Sequence, residues 1–325
     1  MILVIFLSLP RCSSSFNMKG FLTLATGKDL YYILAHNLLL SYRYHSKDPM
    51  PFAILCDREN AWTADFDQAV VIDNPTNSFM DKMRMTDLSP FDETIFIETD
   101  CLIYRDLNGL WDLFKDSPDI GLLGCTFPKD SDYGWWKHEN LGELKDKVDY
   151  KVICQGGLYY VRNNGKELPA IMETSKFIED NYRSYHFSIF DDILEDETIL
   201  CLAAAVHHLQ PVTNWLNVFV YYPEAIISKA NIRTGTLKSY WIRGDGRLNH
   251  KPYFLHFGTA NTLSPTSGSL YYREVSRLKD KPDWRRRFRI AMFSVGRRSV
   301  NNSRFFKALA NLFPKELRKK YNEVR

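Results

Sequence analysis

The sequence predicts an α/β fold: a mostly parallel sheet with helices packed on both faces. Two observations carry that prediction. From Gly20 to Phe127, short runs rich in β-branched and aromatic residues alternate with stretches of helical periodicity. That order builds parallel strands joined by crossover helices. The chain of 325 residues is 45% hydrophobic and 25% charged, which supplies a sizeable core and excludes a disordered or fibrous protein.

The elements follow in order. GFLTLAT (Gly20–Thr26) is a first strand, ended by Gly27. DLYYILAHNLLLSYRYH has helical periodicity, with Asp29 placed as its N-cap. PFAILCD, ending at Asp57, and AVVID (Ala69–Asp73) are strands, and SFMDKMRMTDLSPF is a helix and turn. Ile95, Phe96 and Ile97 form a buried strand, LNGLWDLFKDS a helix and IGLLGCTF another strand. The polar, aromatic stretch KDSDYGWWKHENLGELKDKVDY is an inserted loop with a short helix. Its Trp135 and Trp136 either form a platform for an acceptor sugar or pack on the core. VICQGGLYYVR is a strand interrupted by two glycines, DETILCLAAAVHHL a helix and FLHFG a short strand.

The ends differ from the middle. MILVIFLSLP is apolar, lacks a basic n-region and is too short to span a bilayer. Residues 1–17 are therefore read as a leader or start-site artefact, with Met18 the natural opening. From about Lys279 the chain turns basic and aromatic: Arg285, Arg286, Arg287, Arg289, Arg297 and Arg298 are interleaved with Trp284, Phe288 and Phe293. Such a segment, 266–325 overall and helical in part, suits an anionic membrane surface. Nucleic acid ranks well below, because no reader motif is present. Cys12, Cys56, Cys101, Cys125, Cys154 and Cys201 include no C-x-x-C pair, so they are expected as reduced core thiols.

Chemistry enters at IFIETDCLIYRDL. Glu98 and Asp100 are two carboxylates one residue apart at the end of an apolar strand. Strand alternation would aim both to one side and Thr99 to the other. In open α/β sheets ligands bind beyond the carboxyl ends of the strands. Two acids there can share a hard cation, Mn²⁺ or Mg²⁺, or can pair with Arg84 or Arg105.

This segment resembles the metal-binding signature of GT-A fold glycosyltransferases, most closely the retaining family 8 enzymes, with Glu98 where the family has Asp. Matching segments run in order from Gly20 to Gly258. LATGKDLYY is similar to the family's nucleotide loop. The resemblance puts Ala25, Thr26 and Gly27 at the base and ribose, with Tyr31 or Tyr32 stacking on the base. In KMRMTDLSPF, Lys82 and Arg84 stand where the family has a basic residue on the donor. CQGGLYYVR resembles a segment facing the donor sugar and implicates Gln155, Gly156 and Gly157. LEDETILCLAAAVHHLQPVTNWLN resembles a helix opened by Asp-Gln and followed by Trp-Asn. Here Asp196 and Glu197 open the helix, and Trp215 and Asn217 follow. PYFLHFGTAN resembles the segment whose His completes the metal site, implicating His256 and Gly258; the family's following Lys and Trp are missing.

The resemblance implies a catalytic domain over 18–265 that moves a sugar from a nucleotide-diphosphate donor, a UDP-sugar foremost, to a glycan or lipid-linked acceptor. It implies retention of anomeric configuration, by a front-face route or by double displacement with Glu197 as nucleophile. A cytoplasmic enzyme, peripheral on the inner face of the cell membrane and acting in surface polysaccharide or glycolipid synthesis, is expected. The alternative is a non-catalytic sugar-nucleotide-binding homologue.

Overall fold

The computed structural model describes residues 18–185, 195–241, 251–258 and 268–279. The expected leader and the tail from residue 280 lie outside the described residues.

Eleven strands are described: β1 (Lys19–Ala25), β2 (Phe52–Cys56), β3 (Gln68–Val71), β4 (Glu93–Ile97), β5 (Cys101–Ile103), β6 (Ile120–Pro128), β7 (Tyr150–Arg162), β8 (Phe219–Tyr221), β9 (Ala225–Asn231), β10 (Thr236–Trp241) and β11 (Phe254–His256). Six of them form the main sheet in the order β3-β2-β1-β4-β7-β6. β1, β2, β3 and β4 run parallel, and β7 lies antiparallel between β4 and β6. The sheet is mostly parallel, as the alternation of elements requires.

Helices cover both faces. On one, α1 (Asp29–His45) buries Tyr32, Ala35, Leu38, Leu39 and Tyr42 against Phe21, Ile54 and Ile95. Each fully buried side chain of this size contributes about 1.5–3 kcal/mol. Asp29 is the first residue of α1, and the N-cap position falls to Lys28, whose side chain makes no cap bond. The Asp29 carboxylate instead favours the helix dipole and takes Arg58 at 2.8 Å. Two short helices, α2 (Met85–Leu88) and α3 (Leu110–Phe114), fill connections.

The other face is covered by α4 (Leu168–Asn181) and α5 (Asp196–Val206). In α5, Ala203, Ala204 and Ala205 are all buried, small enough for close approach to its neighbours. Cys154 of β7 and Cys201 of α5 are free thiols with sulfurs 3.1 Å apart. Trp136 also packs on this face and is 1% exposed, so it is core and not a platform. The Lys151 ammonium lies over its ring and donates to its carbonyl.

A second, three-stranded sheet has the order β5-β11-β8. Its register sets His256 opposite Cys101 and Leu255 opposite Leu102. This pairing carries a residue more than 150 positions away to the turn that bears Glu98 and Asp100. The hairpin of β9 and β10 and the helix α6 (Gly268–Leu278) complete the described fold. α6 falls in the segment expected as tail, yet Leu270, Tyr271 and Val275 are buried, and the buried Glu274 carboxylate accepts the Ile232 N–H at 2.7 Å. Among the described residues no helix is long and apolar enough to cross a membrane.

Candidate active site

β4 ends at Ile97, and residues 98–100 form a turn beyond its carboxyl end. The Glu98 N–H donates to the Gly157 carbonyl, and the Cys101 N–H donates back to the Glu98 carbonyl. The two acids therefore converge through a turn, not through strand alternation. His256 Nε2 lies 3.2 Å from Asp100 Oδ1 and 3.3 Å from Glu98 Oε2. The Phe257 N–H ties the chain after His256 to the Asp100 carbonyl. Neighbouring ligands of one ion at about 2.1 Å stand about 3 Å apart, so the imidazole stands at ligand spacing from each of the two acids. The oxygen and imidazole donors fit Mn²⁺ better than Mg²⁺. Among the described residues, the group compact enough to hold an ion as it stands is Asp100, Cys101 and His256; Glu98 touches the imidazole but lies outside that group, so its side chain would have to move in to complete the set.

The cation that faces the acids is a lysine, not either arginine. Arg84 donates to the Asp73 and Asn74 carbonyls, and Arg105 to the Lys251 carbonyl. Lys82, 6% exposed, extends its ammonium between Glu98, to which it is hydrogen-bonded, and Asp196 at 2.7 Å. Burial disfavours all these charges, and their mutual attraction opposes it. Burial pulls Lys82 down, but Asp196 and Glu98 hold it above its ordinary value. Burial pushes Glu98 up, yet Lys82 and His256 bring it down to about 2. Burial likewise pulls His256 down, while Asp100 and Glu98 raise it to about 10.

Asp196 and Glu197 open α5 beside this cluster. Asp196 is buried and accepts the Tyr159 hydroxyl at 2.7 Å; burial holds its carboxyl above the ordinary range. Glu197 accepts the Gly156 N–H and is pushed up to about 8, first by burial and then by Asp196. The glycine pair makes room for these groups. A Cβ on Gly156 would meet Glu197 Oε1 at 2.8 Å, and one on Gly157 would meet His256 Nδ1 at 2.7 Å. Gln155 precedes them, half-buried, and its Oε1 is buried without a hydrogen-bond partner among the described residues.

A cavity of about 570 Å³ opens beside this cluster, lined by Thr26, Tyr31, Phe79, Lys82, Glu98 and Thr99 among others. That volume suits a small-molecule ligand. Ala25, next to Thr26, is buried in the core and does not line the cavity. Gly27 takes φ +76°, and its N–H donates to Asp57 at 2.9 Å. Of the two tyrosines, Tyr31 lines the cavity. Tyr32 is fully buried, with its hydroxyl on the Asp57 carboxylate and the Arg58 guanidinium over its ring, so it cannot stack on a base. Gly258, at φ +69°, turns the chain two residues after His256.

Two acids that the sequence reading passed over organise the rim. Asp57 holds Gly27, Tyr32 and Arg58. Asp81, fully buried, accepts the N–H groups of Thr76 and Asn77 and the Thr76 hydroxyl, each at 2.8 Å. The signal for Asp81 was present as Ser78-x-x-Asp81, a capping-box spacing, and Ser78 does cap the following turn.

No protein-family model matches the sequence, and no curated protein matches it. Solved structures do. The bifunctional glycosyltransferase WbbM is 12% identical with a TM-score of 0.50, over 87% of this chain and 52% of that one. The chain thus spans about half of WbbM. The galactosyltransferase LgtC, in complex with donor and acceptor sugar analogues, is 12% identical with a TM-score of 0.47, over 80% of this chain and 95% of that one. An active-site mutant of LgtC is 13% identical, with the same TM-score and coverage. The likeness to WbbM establishes the fold: a mixed α/β fold with a central, mostly parallel sheet, of the GT-A kind.

Proposed function

We propose that this protein is a metal-dependent glycosyltransferase that takes a sugar from a nucleotide-diphosphate donor. The observation that carries the reading is the convergence of Glu98, Asp100 and His256, from two segments far apart in the chain, beside a cavity of about 570 Å³. WbbM, which shares the fold, is described as a glycosyltransferase.

Glu98, Asp100 and His256 would hold the ion, Mn²⁺ in preference to Mg²⁺. When bound, such an ion supplies Lewis-acid neutralisation of the charge that grows on a leaving diphosphate. The protein's own groups do the rest. Thr26 and Tyr31 bound the part of the cavity suited to a UDP base and ribose, with the Gly27 turn next to Thr26. Lys82 fixes the Glu98 and Asp196 carboxylates, and Tyr159 fixes Asp196 from the other side. A sugar hydroxyl would give the buried Gln155 oxygen the donor it lacks. Asp196 orients the sugar, and Glu197 beside it, once ionised, stabilises positive charge on the ring, with retention of configuration. The acceptor is a glycan or lipid-linked sugar, and the C-terminal segment holds the enzyme at the inner face of the cell membrane.

The test is a screen of UDP- and GDP-sugars for donor hydrolysis with Mn²⁺, comparing wild type with Asp100→Ala. Metal-dependent turnover lost in the variant is expected. Equal, metal-independent activity in both would end the catalytic reading, and donor binding without turnover would favour the non-catalytic homologue.

A further inference from the structure

The β9–β10 hairpin exposes a face whose chemistry the sugar-transfer reading does not use. Residues directly opposite each other in an antiparallel ladder share a face. On the buried face Ala230 stands opposite Leu237, and both belong to the core beneath. On the other face Lys229 stands opposite Lys238, and Ile226 stands opposite Tyr240.

Like charges directly opposite each other weaken a ladder. Both lysines are exposed, and neither has a carboxylate partner among the described residues. From Ala225 to Trp241 the chain carries Lys229, Arg233 and Lys238 and no Asp or Glu. Ile226 is 58% exposed, more than any other large apolar side chain described. The hairpin is also clamped to α6. Arg277 donates to the Ala230 carbonyl at 2.8 Å, and Arg233 donates to the Arg277 carbonyl. α6 ends at Leu278, and the basic aromatic segment follows it directly in the sequence.

We propose that the exposed face of this hairpin docks on an anionic lipid bilayer together with the C-terminal segment. Lys229 and Lys238 meet lipid phosphates, and Ile226 and Tyr240 enter the headgroup layer. An acidic glycan or a nucleic acid would satisfy the lysines but leave the isoleucine in water. The inference rests on the membrane-surface part of the reading above and not on its chemistry.

The test is co-sedimentation of the full chain with vesicles of phosphatidylcholine, alone or mixed with phosphatidylglycerol. Each lysine near such a surface is worth about fivefold in affinity, so Lys229→Glu with Lys238→Glu should weaken binding to the anionic vesicles roughly 25-fold or more. Ile226→Ser should weaken it as well, and donor hydrolysis in solution should not change in either variant. Lys238→Glu alone replaces repulsion across the ladder with attraction, so its melting temperature should not fall. A companion variant, Arg285→Glu with Arg286→Glu and Arg287→Glu, isolates the C-terminal segment. If hairpin variants bind as wild type while this one does not, the hairpin inference is overturned and the tail reading stands. If wild type ignores the anionic vesicles, or binds an acidic polysaccharide in their place, both are overturned.

Discussion

Replacing Lys82 with methionine removes an ammonium held between two carboxylates without changing the bulk of the side chain much. The ammonium lies 2.7 Å from Asp196 and is hydrogen-bonded to Glu98; the Asp196 side chain is 2% exposed and that of Glu98 19%. Breaking a buried ion pair from one side costs about 3–5 kcal/mol, because the partner charge stays behind. Water reaches Glu98 in part, so the lower end, about 3 kcal/mol, applies here. Against a total stability of roughly 5–15 kcal/mol that is a large loss. It should also depend on pH. Burial already raises the Asp196 carboxyl, and without Lys82 it rises further. A group with a raised folded-state value favours folding while protonated and loses that contribution as pH rises. The deficit should therefore be larger at pH 8 than at pH 5. Urea denaturation of the metal-free protein at both pH values measures it. A deficit below about 1 kcal/mol at pH 8, or one that shrinks as pH rises, would refute this account of the cluster.

As far as Glu98 and His256 decide it, metal-free wild type should be most stable between pH 4.5 and 6.5, their ordinary values, while the raised Asp196 and Glu197 carboxyls shift the optimum toward the acid end of that window. The Glu98 contribution is lost as pH falls toward about 2 and the His256 contribution as pH rises toward about 10, so His256→Gln should flatten the alkaline limb of a stability profile. Gly157→Ala would press a methyl group against the imidazole, since its Cβ falls 2.7 Å from His256 Nδ1. Displacing a group that orients a ligand typically costs 10–100-fold, so Mn²⁺ affinity by calorimetry should drop by about that factor while far-UV circular dichroism stays native. Tyr32→Phe removes a hydrogen bond to the Asp57 carboxylate. Denaturation should show a loss of about 1.5–3 kcal/mol, and donor affinity should fall because the Gly27 loop loses a support; unchanged stability would mean that the bond contributes nothing.

Local signals exposed much of this in the sequence. Apolar periodicity marks α1 and α5, and turn residues bound β1 and β2, so the main sheet and one helix on each face are legible; α4, which shares the second face with α5, is not among the expected elements. What local pattern does not carry is pairing. β5 and β8 have three residues each, too few to show a period; β11 is read as the short strand FLHFG, but nothing local shows that it pairs with both of them. β9 and β10 mix apolar, small and charged residues across a bulge, which blurs the alternation of a half-buried hairpin.

The candidate site divides the same way. Motif order singled out Glu98, Asp100, Asp196, Glu197 and His256, and the fold gathers them. It does not say which basic residue turns inward. Lys82 and Arg84 are two positions apart on a tight turn, and only packing sends one to the carboxylates and the other to the Asp73 and Asn74 carbonyls. Nor does it separate Tyr31 from Tyr32, adjacent on α1, where burial takes the second into the core. The glycine pair reads as room for a ligand. In the fold it is first of all room for Glu197 and His256.

The central claim, that a divalent ion held by Glu98, Asp100 and His256 grips a diphosphate, is tested most directly by calorimetric titration of UDP into wild type and Asp100→Ala, with Mn²⁺ and with a chelator. The account predicts that UDP binds wild type tightly only with Mn²⁺, and that the variant shows no such gain. Equal UDP affinity with and without Mn²⁺, or a full gain in Asp100→Ala, would contradict it.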